Sequence, residues 1–367
     1  MTIKVALVIP TMDRGGAEKQ VCLLAKHLPR DQFEPHVILL TRDGPRSQEL
    51  RDAGVPVSLI GKKFKADPTA LFRLKRKLIE LQPDVVHTWL FAANSFGRVA
   101  ARMAKIPRII ASERCVDPWK KTWHFMIDRR LAKFTDVITT NSVGVRDFYA
   151  ENGIDPSLFQ IIPNGIEPSS AVAISRTEAF ERLKVSEDRK LILAVGRLWP
   201  QKRYKDLIWA AEMLGTLRQD VTLVIIGDGP QRGELMRYRD SVSTSQHTKF
   251  AGARTDVAEL LPHADLFWIG SEYEGQSNAV IEAMQAGLPV VASDISGNRD
   301  LVLPDETGRI VPLGDRAEFA THSQELLKSP DEASQLGKAA AIRIRDDFSV
   351  DKMIQGHAQL YAGKAKS

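Results

Sequence analysis

Short apolar runs alternate with amphipathic stretches along the whole chain. Residues 5–9 (Val-Ala-Leu-Val-Ile) are continuously apolar, the pattern of a strand buried on both faces. Val21, Leu24, Ala25 and Leu28 then recur at helical spacing, which predicts a helix over 18–28. Further strands are predicted at 36–40, 57–60, 85–87, 108–111 and 137–141, with helices such as 69–81 and 94–104 between them. The pattern restarts at 191–195 and continues through 222–226, 248–250, 266–269 and 289–292. Strands alternating with helices imply parallel sheets, and two such blocks imply two doubly wound α/β domains rather than a repeat array.

The length of 367 residues also exceeds one usual core. The turn-rich Pro-Asn-Gly-Ile-Glu-Pro at 163–168 is the natural joint. It divides the chain into domains at 1–168 and 169–345, with a helical tail at 346–367.

Composition narrows the class. Hydrophobic residues make up 43% and charged residues 26%, ordinary for a globular protein. No apolar run reaches the roughly 18 residues of a spanning helix. The chain enters a strand at once, without the regions of a signal peptide. A cytoplasmic location is therefore expected, and Cys22 and Cys115 are read as small thiols in a reducing compartment. Net charge is +5, but residues 1–168 hold 26 Lys+Arg against 18 Asp+Glu (+8), leaving −3 for the rest. A basic half suits anionic lipid, an anionic acceptor or nucleic acid, or is ordinary solvated surface. The basic runs carry no recognised nucleic-acid reader, so no nucleic-acid partner is expected. Residues 117–130 mix aromatic and basic residues; packing of the aromatics on the sheet is favoured over a membrane or acceptor border.

Residues 271–302 carry the most chemistry. Glu274 and Glu282 lie around the start of a short helix, with Ser277 as its N-cap and Gly287 and Pro289 at its end. Asn278, Glu282 and Gln285 share a face, and Val290 to Ala292 read as a buried strand. A helix N-terminus attracts phosphate, so two carboxylates beside it suit a ligand bearing phosphate and hydroxyls. Gly196-Arg197 and Lys202 follow the first strand of the second block, where a cation pair is well placed for a diphosphate. Gly15-Gly16 permits close backbone approach before a helix and is not a dinucleotide fingerprint. His87 ends a strand, where ligands gather.

These residues resemble the family-4 retaining glycosyltransferases, which have the GT-B fold: two Rossmann-like domains facing across a cleft. The family's Glu-x7-Glu followed by Ala-x-x-x-Gly-x-Pro-Val-Val reads here as Glu274, Glu282, Ala283, Gly287, Pro289, Val290 and Val291. Its Gly-Arg-Leu-x4-Lys is Gly196, Arg197 and Lys202, and its Gly-Gly-Ala-Glu loop is Gly15 to Glu18. Asn164-Gly165-Ile166 matches its interdomain crossing.

The resemblance implies a retaining, metal-independent transfer of sugar from a nucleotide-sugar to a glycan or lipid-linked acceptor, without a cofactor. Glu274, His87, Arg197 and Lys202 then carry the reaction. Gly16, Gly275, Ser277, Asn278, Glu282, Asp228 and Arg254 join Arg197, Lys202 and Glu274 at the donor, and Gly15 and His87 lie toward the acceptor. The basic first domain would meet anionic membrane peripherally, on the inner face. An epimerase or phosphorylase on the same fold, or a noncatalytic sugar-nucleotide-binding partner, is the alternative.

Three departures stand out. Arg203 replaces a usual Gly, Trp89 replaces a second His in Val-Val-His-x-His, and Ser296-Gly297-Asn298-Arg299-Asp300 replaces Gly-Gly-x-x-Glu. The last loop is expected not to bear on the two glutamates.

Overall fold

The computed structural model describes residues 2–242 and 247–363. Two compact units emerge, Met1–Gly165 with Ser349–Ser367, and Ile166–Phe348. The last four residues of the tail lie outside the described range.

The first unit holds seven parallel strands: β1 (Ile3–Ile9), β2 (Phe33–Leu39), β3 (Val57–Leu59), β4 (Val85–Trp89), β5 (Arg108–Glu113), β6 (Val137–Thr140) and β7 (Phe159–Ile161). Their order is β3-β2-β1-β4-β5-β6-β7. Alternate side chains of each strand feed opposite faces. Val5, Leu7 and Ile9 join a core with the helices Gly16–His27 and Val350–Ala362. Ala6 and Val8 join another beneath the helices Pro68–Leu81 and Leu90–Met103. Asp67 caps the first of these, accepting from Ala70 N, and Pro68 supplies the preset first turn.

The second unit has six parallel strands: β8 (Lys190–Val195), β9 (Val221–Ile226), β10 (Thr248–Gly252), β11 (Leu266–Ile269), β12 (Val290–Ser293) and β13 (Gly308–Val311). Their order is β10-β9-β8-β11-β12-β13. In each sheet the winding direction reverses once, between β1 and β4 and between β8 and β11. Such a reversal leaves a crevice at the carboxyl ends of the two strands, because the loops leave in opposite directions.

The face of the first sheet under the tail helix holds a buried cluster around His87, in the middle of β4. His87 is fully buried, Nδ1 lying 2.7 Å from Tyr361 Oη and Nε2 3.1 Å from Thr139 Oγ1. The ring also lies against Trp89 and His357. Burial, then the nearby His357 and Arg114 charges, holds His87 well below the usual imidazole range. Trp89 packs its ring under the Arg114 guanidinium, 5.0 Å away. Arg114 in turn donates to Asn164 Oδ1. Gln20 clamps Gly165 through both its backbone groups, at 3.0 and 2.8 Å.

His357 gives a test of this packing. Burial drives its pKa down to about 3 against an ordinary value near 6.5. The unfolded chain therefore binds a proton below about pH 6.5 that the native state refuses. Stability is present above that pH and is lost as pH falls toward 3, by about 1.4 kcal/mol per unit. His357→Gln removes this acid sensitivity. Its melting-temperature deficit against wild type should narrow between pH 7 and pH 5; a constant deficit would show that His357 is not held neutral.

Candidate functional site

The loop after β8 is shaped by its neighbour after β9. Gly196 N donates to Ile226 O at 3.0 Å and Leu198 N to Asp228 O at 3.0 Å. Gly227 has φ +146°, and a Cβ there would lie 2.0 Å from Gly196 O. Gly229 is as crowded, 2.6 Å from Leu198 O. The Gly-Asp-Gly-Pro stretch thus lets two backbones lie flush. Asp228 itself is exposed, accepts from Gly229 N at 2.8 Å and lies 3.6 Å from Arg232. It serves this loop.

Past Gly196 the chain passes Arg197, whose guanidinium covers the Trp199 ring at 4.4 Å, and makes a single turn over Pro200–Lys202. Arg203 then takes φ +49°, the left-handed conformation that a Gly would occupy without strain. Its side chain is held by Asp206 at 2.7 Å. The departure from Gly therefore changes the residue and keeps the turn. That turn starts the helix Tyr204–Leu217 and points Lys202 back across the strand ends.

The loop after β11 runs Gly270 to Ser277. Lys202 Nζ meets Glu274 Oε1 at 2.5 Å, with 16% and 12% of the two side chains exposed. Ser271 Oγ donates to the same oxygen at 2.8 Å. Gln201 ties the two loops along their backbones, accepting from Glu272 N at 2.8 Å and donating to Tyr273 O at 2.6 Å. Tyr204 is buried close by; a Cβ on Gly196 would come within 3.0 Å of its Oη. Burial and then the Glu274 charge push the phenol above its ordinary range. Tyr204, Ser271 and Gln201 carry no role in the sequence reading. Gln201 and Tyr204 flank Lys202 in sequence, and Ser271 opens the stretch that holds Glu274.

Ser277 sits at the N-cap of the helix Asn278–Gln285, but its side chain makes no capping bond. Asn278 and Glu282 lie on that helix, both part-exposed. Gln285 donates to Glu167 O at 2.7 Å, fixing the helix to the joint segment. Gly287 takes φ +78° and closes the helix.

The 296–300 loop overturns an expectation. A Cβ on Gly297 would lie 1.7 Å from Gly275 O and 3.2 Å from Glu274 O. The short helix Ser296–Arg299 is thus packed directly on the backbone that carries Glu274. Asn298 Nδ2 donates to Ser293 O at 2.8 Å, and Ser293 Oγ donates to Ser271 O at 2.6 Å. A sequence comparison of motifs cannot reveal this contact, because its two halves lie in separate loops.

Two other candidates are placed elsewhere. Arg254 donates to Asp256 at 2.8 and 2.6 Å and to Arg182 O at 3.3 Å, as part of a surface ion network with Glu259. His87 belongs to the buried cluster above, with both nitrogens engaged. In the first unit Gly15 is the N-cap residue of the helix Gly16–His27, with Gly16 exposed. The Glu18 carboxylate folds back so closely that a Gly15 Cβ would lie 2.1 Å from it. Burial is the main cause of the raised Glu18 pKa.

Comparison with known proteins is consistent along the chain. Residues 14–170 match the model for Glycosyltransferase Family 4, and residues 175–343 that for Glycosyl transferases group 1. The UDP-Gal:alpha-D-GlcNAc-diphosphoundecaprenol alpha-1,3-galactosyltransferase of Escherichia coli is 27% identical over 356 residues, covering 91% of this chain and 90% of that one. The GDP-mannose-dependent alpha-mannosyltransferase of Mycobacterium tuberculosis is 27% identical, with 85% of both chains covered. HepE of Anabaena, in its crystal structure with UDP-glucose, superposes with TM-score 0.88 over 98% of this chain and 99% of that one. At 22% identity that likeness concerns the fold. The chain belongs to the group-1, family-4 glycosyltransferases: it is a GT-B glycosyltransferase that uses a nucleotide-sugar donor.

Proposed function

We propose that this glycosyltransferase reacts at the crevice between β8 and β11, with retention at the anomeric carbon. The acceptor we propose is a lipid-linked glycan, as the printed name of the Escherichia coli relative describes for that protein. The observation that carries the site is the meeting of Lys202 and Glu274 at 2.5 Å, 72 residues apart in sequence. A cation and a carboxylate held together at a sheet's carboxyl edge fit a ligand that carries diphosphate next to sugar hydroxyls.

In this reading Lys202 and Arg197 stabilise the diphosphate as the bond from its oxygen to the anomeric carbon breaks. The acceptor oxygen attacks on the same face, and its proton passes to the departing phosphate. Glu274 orients the sugar through its hydroxyls, and Glu282 holds the ribose. Ser271 and the Gly297 contact keep Glu274 in place. The basic first unit brings the protein to an anionic membrane surface, consistent with a cytoplasmic enzyme peripheral to the inner face.

The Lys202–Glu274 contact makes the two substitutions differ in sign. Lys202→Ala removes a charge-assisted contact and should weaken nucleoside diphosphate binding by about 2–3 kcal/mol. Glu274→Gln releases Lys202 from its acidic partner, so nucleoside diphosphate should bind several-fold tighter, on the order of 1 kcal/mol. Transfer by Glu274→Gln should nevertheless collapse, because sugar contacts that strengthen in the transition state are lost. Calorimetric titration and a transfer assay read both; weaker diphosphate binding by Glu274→Gln would remove the pair from the site.

Gly297→Ala should force the Glu274 loop to move. Overpacking of this kind commonly costs about 1–3 kcal/mol, and transfer should fall further than stability. A variant with full turnover would mean that the loop tolerates displacement. Transfer should also survive chelation, since cationic side chains serve the leaving group. Activity lost in EDTA and restored by one divalent ion would refute that part.

A further inference from the structure

Arg114 follows the last residue of β5 and is a buried charge without a counter-charge. Only 8% of it is exposed. Among the described residues no acid lies within ion-pair distance of it, and burial alone pushes its pKa down to about 9. The adjacent Glu113 is turned instead to Asn94 and Tyr149, at 2.9 Å each. His87 and His357 feel the Arg114 charge and are both held toward the neutral form. A buried cation left in this state is costly until an anion meets it.

Hydrogen-bonding capacity is also left over around it. Four buried atoms there have no partner among the described residues: Arg114 Nη1, Trp89 Nε1, His357 Nε2 and Asn141 Oδ1. Trp89, His357 and Asn141 are each at most 2% exposed. The Arg114 guanidinium lies 5.0 Å from the Trp89 ring, which stacks on His357 with centroids 6.1 Å apart. Arg114 Nη2 and Asn141 Nδ2 both reach Asn164 Oδ1, the latter at 3.4 Å. Trp89 ends β4, Asn141 follows β6 and Asn164 lies just past β7. These side chains thus gather at the carboxyl ends of four adjacent strands, where open α/β sheets bind ligands. Most buried polar atoms find a partner, so four without one in a single neighbourhood need an explanation.

We propose that Arg114, Trp89, Asn141 and His357 form a binding site for a phosphate group. Charge selects an anion over water, because bridging water leaves the guanidinium uncompensated. The Trp89 face offsets only part of that charge. The polar atoms narrow the anion further. Arg114 Nη1 and Trp89 Nε1 can only donate. His357 Nδ1 lies 2.9 Å from Met353 O, a carbonyl that can only accept, so Nδ1 carries the proton and Nε2 is an acceptor. Asn141 Oδ1 is an acceptor too. The ligand must therefore both accept and donate, which chloride does not. Monohydrogen phosphate does both, and so does a glycosyl phosphate, whose sugar hydroxyls donate. The second source rests on the proposed lipid-linked acceptor; the first does not.

Phosphate also suits the proposed donor site, so the test uses the full chain carrying Arg197→Ala and Lys202→Ala. In this background inorganic phosphate should raise the melting temperature to a plateau, with ionic strength held constant by chloride. Adding Arg114→Leu should raise the melting temperature in phosphate-free buffer, since a buried unpaired charge is gone, and weaken phosphate binding at least about tenfold. Trp89→Phe keeps the charge and an aromatic ring but loses one donor. It should weaken phosphate binding about fivefold, a readout that stands even if Arg114→Leu fails to fold. Phosphate stabilisation that is absent, or equal with and without these two substitutions, overturns the inference. So does an Arg114→Leu variant that is less stable than its parent in phosphate-free buffer, which would give the guanidinium a packing role. Transfer kinetics of Trp89→Phe on the otherwise wild-type chain separate the two sources. A raised KM for a glycosyl-diphosphate acceptor, with the donor KM unchanged, assigns the site to the acceptor. An unchanged acceptor KM beside weakened phosphate binding assigns it to free phosphate.

Discussion

The adjacency of β8 and β11 is the constraint on which the second unit depends. These strands are neighbours in the sheet but are separated in sequence by β9, β10 and their connections. Their loops therefore leave the carboxyl edge in opposite directions, and the backbone itself opens a crevice. Lys202 comes from one loop and Glu274 from the other. Each would be an ordinary surface charge on its own. Together they form a half-buried pair whose electrostatics depend on the sheet order.

Close packing of backbone on backbone holds that pair in place. Gly227 and Gly229 admit the Gly196–Leu198 segment, and Gly297 admits the carbonyls of Glu274 and Gly275. A side chain at any of these points would displace a loop rather than a neighbouring side chain, because the atoms met are main-chain oxygens. Hydrogen bonds then pass from Asn298 to Ser293, from Ser293 to Ser271, and from Ser271 to Glu274. The carboxylate is thus oriented through three residues, one each from the Ser296–Arg299 helix, β12 and the loop after β11. Preorganisation of this kind limits the reorganisation required when charge develops during a reaction.

Apolar periodicity revealed most of the fold, because buried parallel strands are continuous hydrophobic runs. It missed β7 and β13, each short and at a sheet edge, where only part of the strand is buried. The site was partly legible. Glu274 and Lys202 announced themselves through turn chemistry and spacing, whereas Tyr204, Ser271 and Gly297 act through tertiary proximity that no local pattern encodes. The surroundings of His87 were not legible at all. The sequence reading put it at a strand's carboxyl end, but it lies in the middle of β4, where the tail helix covers it with Tyr361 and His357. A residue more than 260 positions away in sequence decides its environment.

The two units differ in how they treat their polar groups. In the first unit His87 is enclosed by aromatic rings on the sheet face under the tail helix, with the Arg114 guanidinium near by, all buried. Burial in such a cluster disfavours the charged form of its imidazoles. Around Lys202 and Glu274, by contrast, the crevice keeps both charges partly solvated while fixing their separation. Partial burial is the useful regime: full burial would favour neutralisation of the pair, and full exposure would screen it.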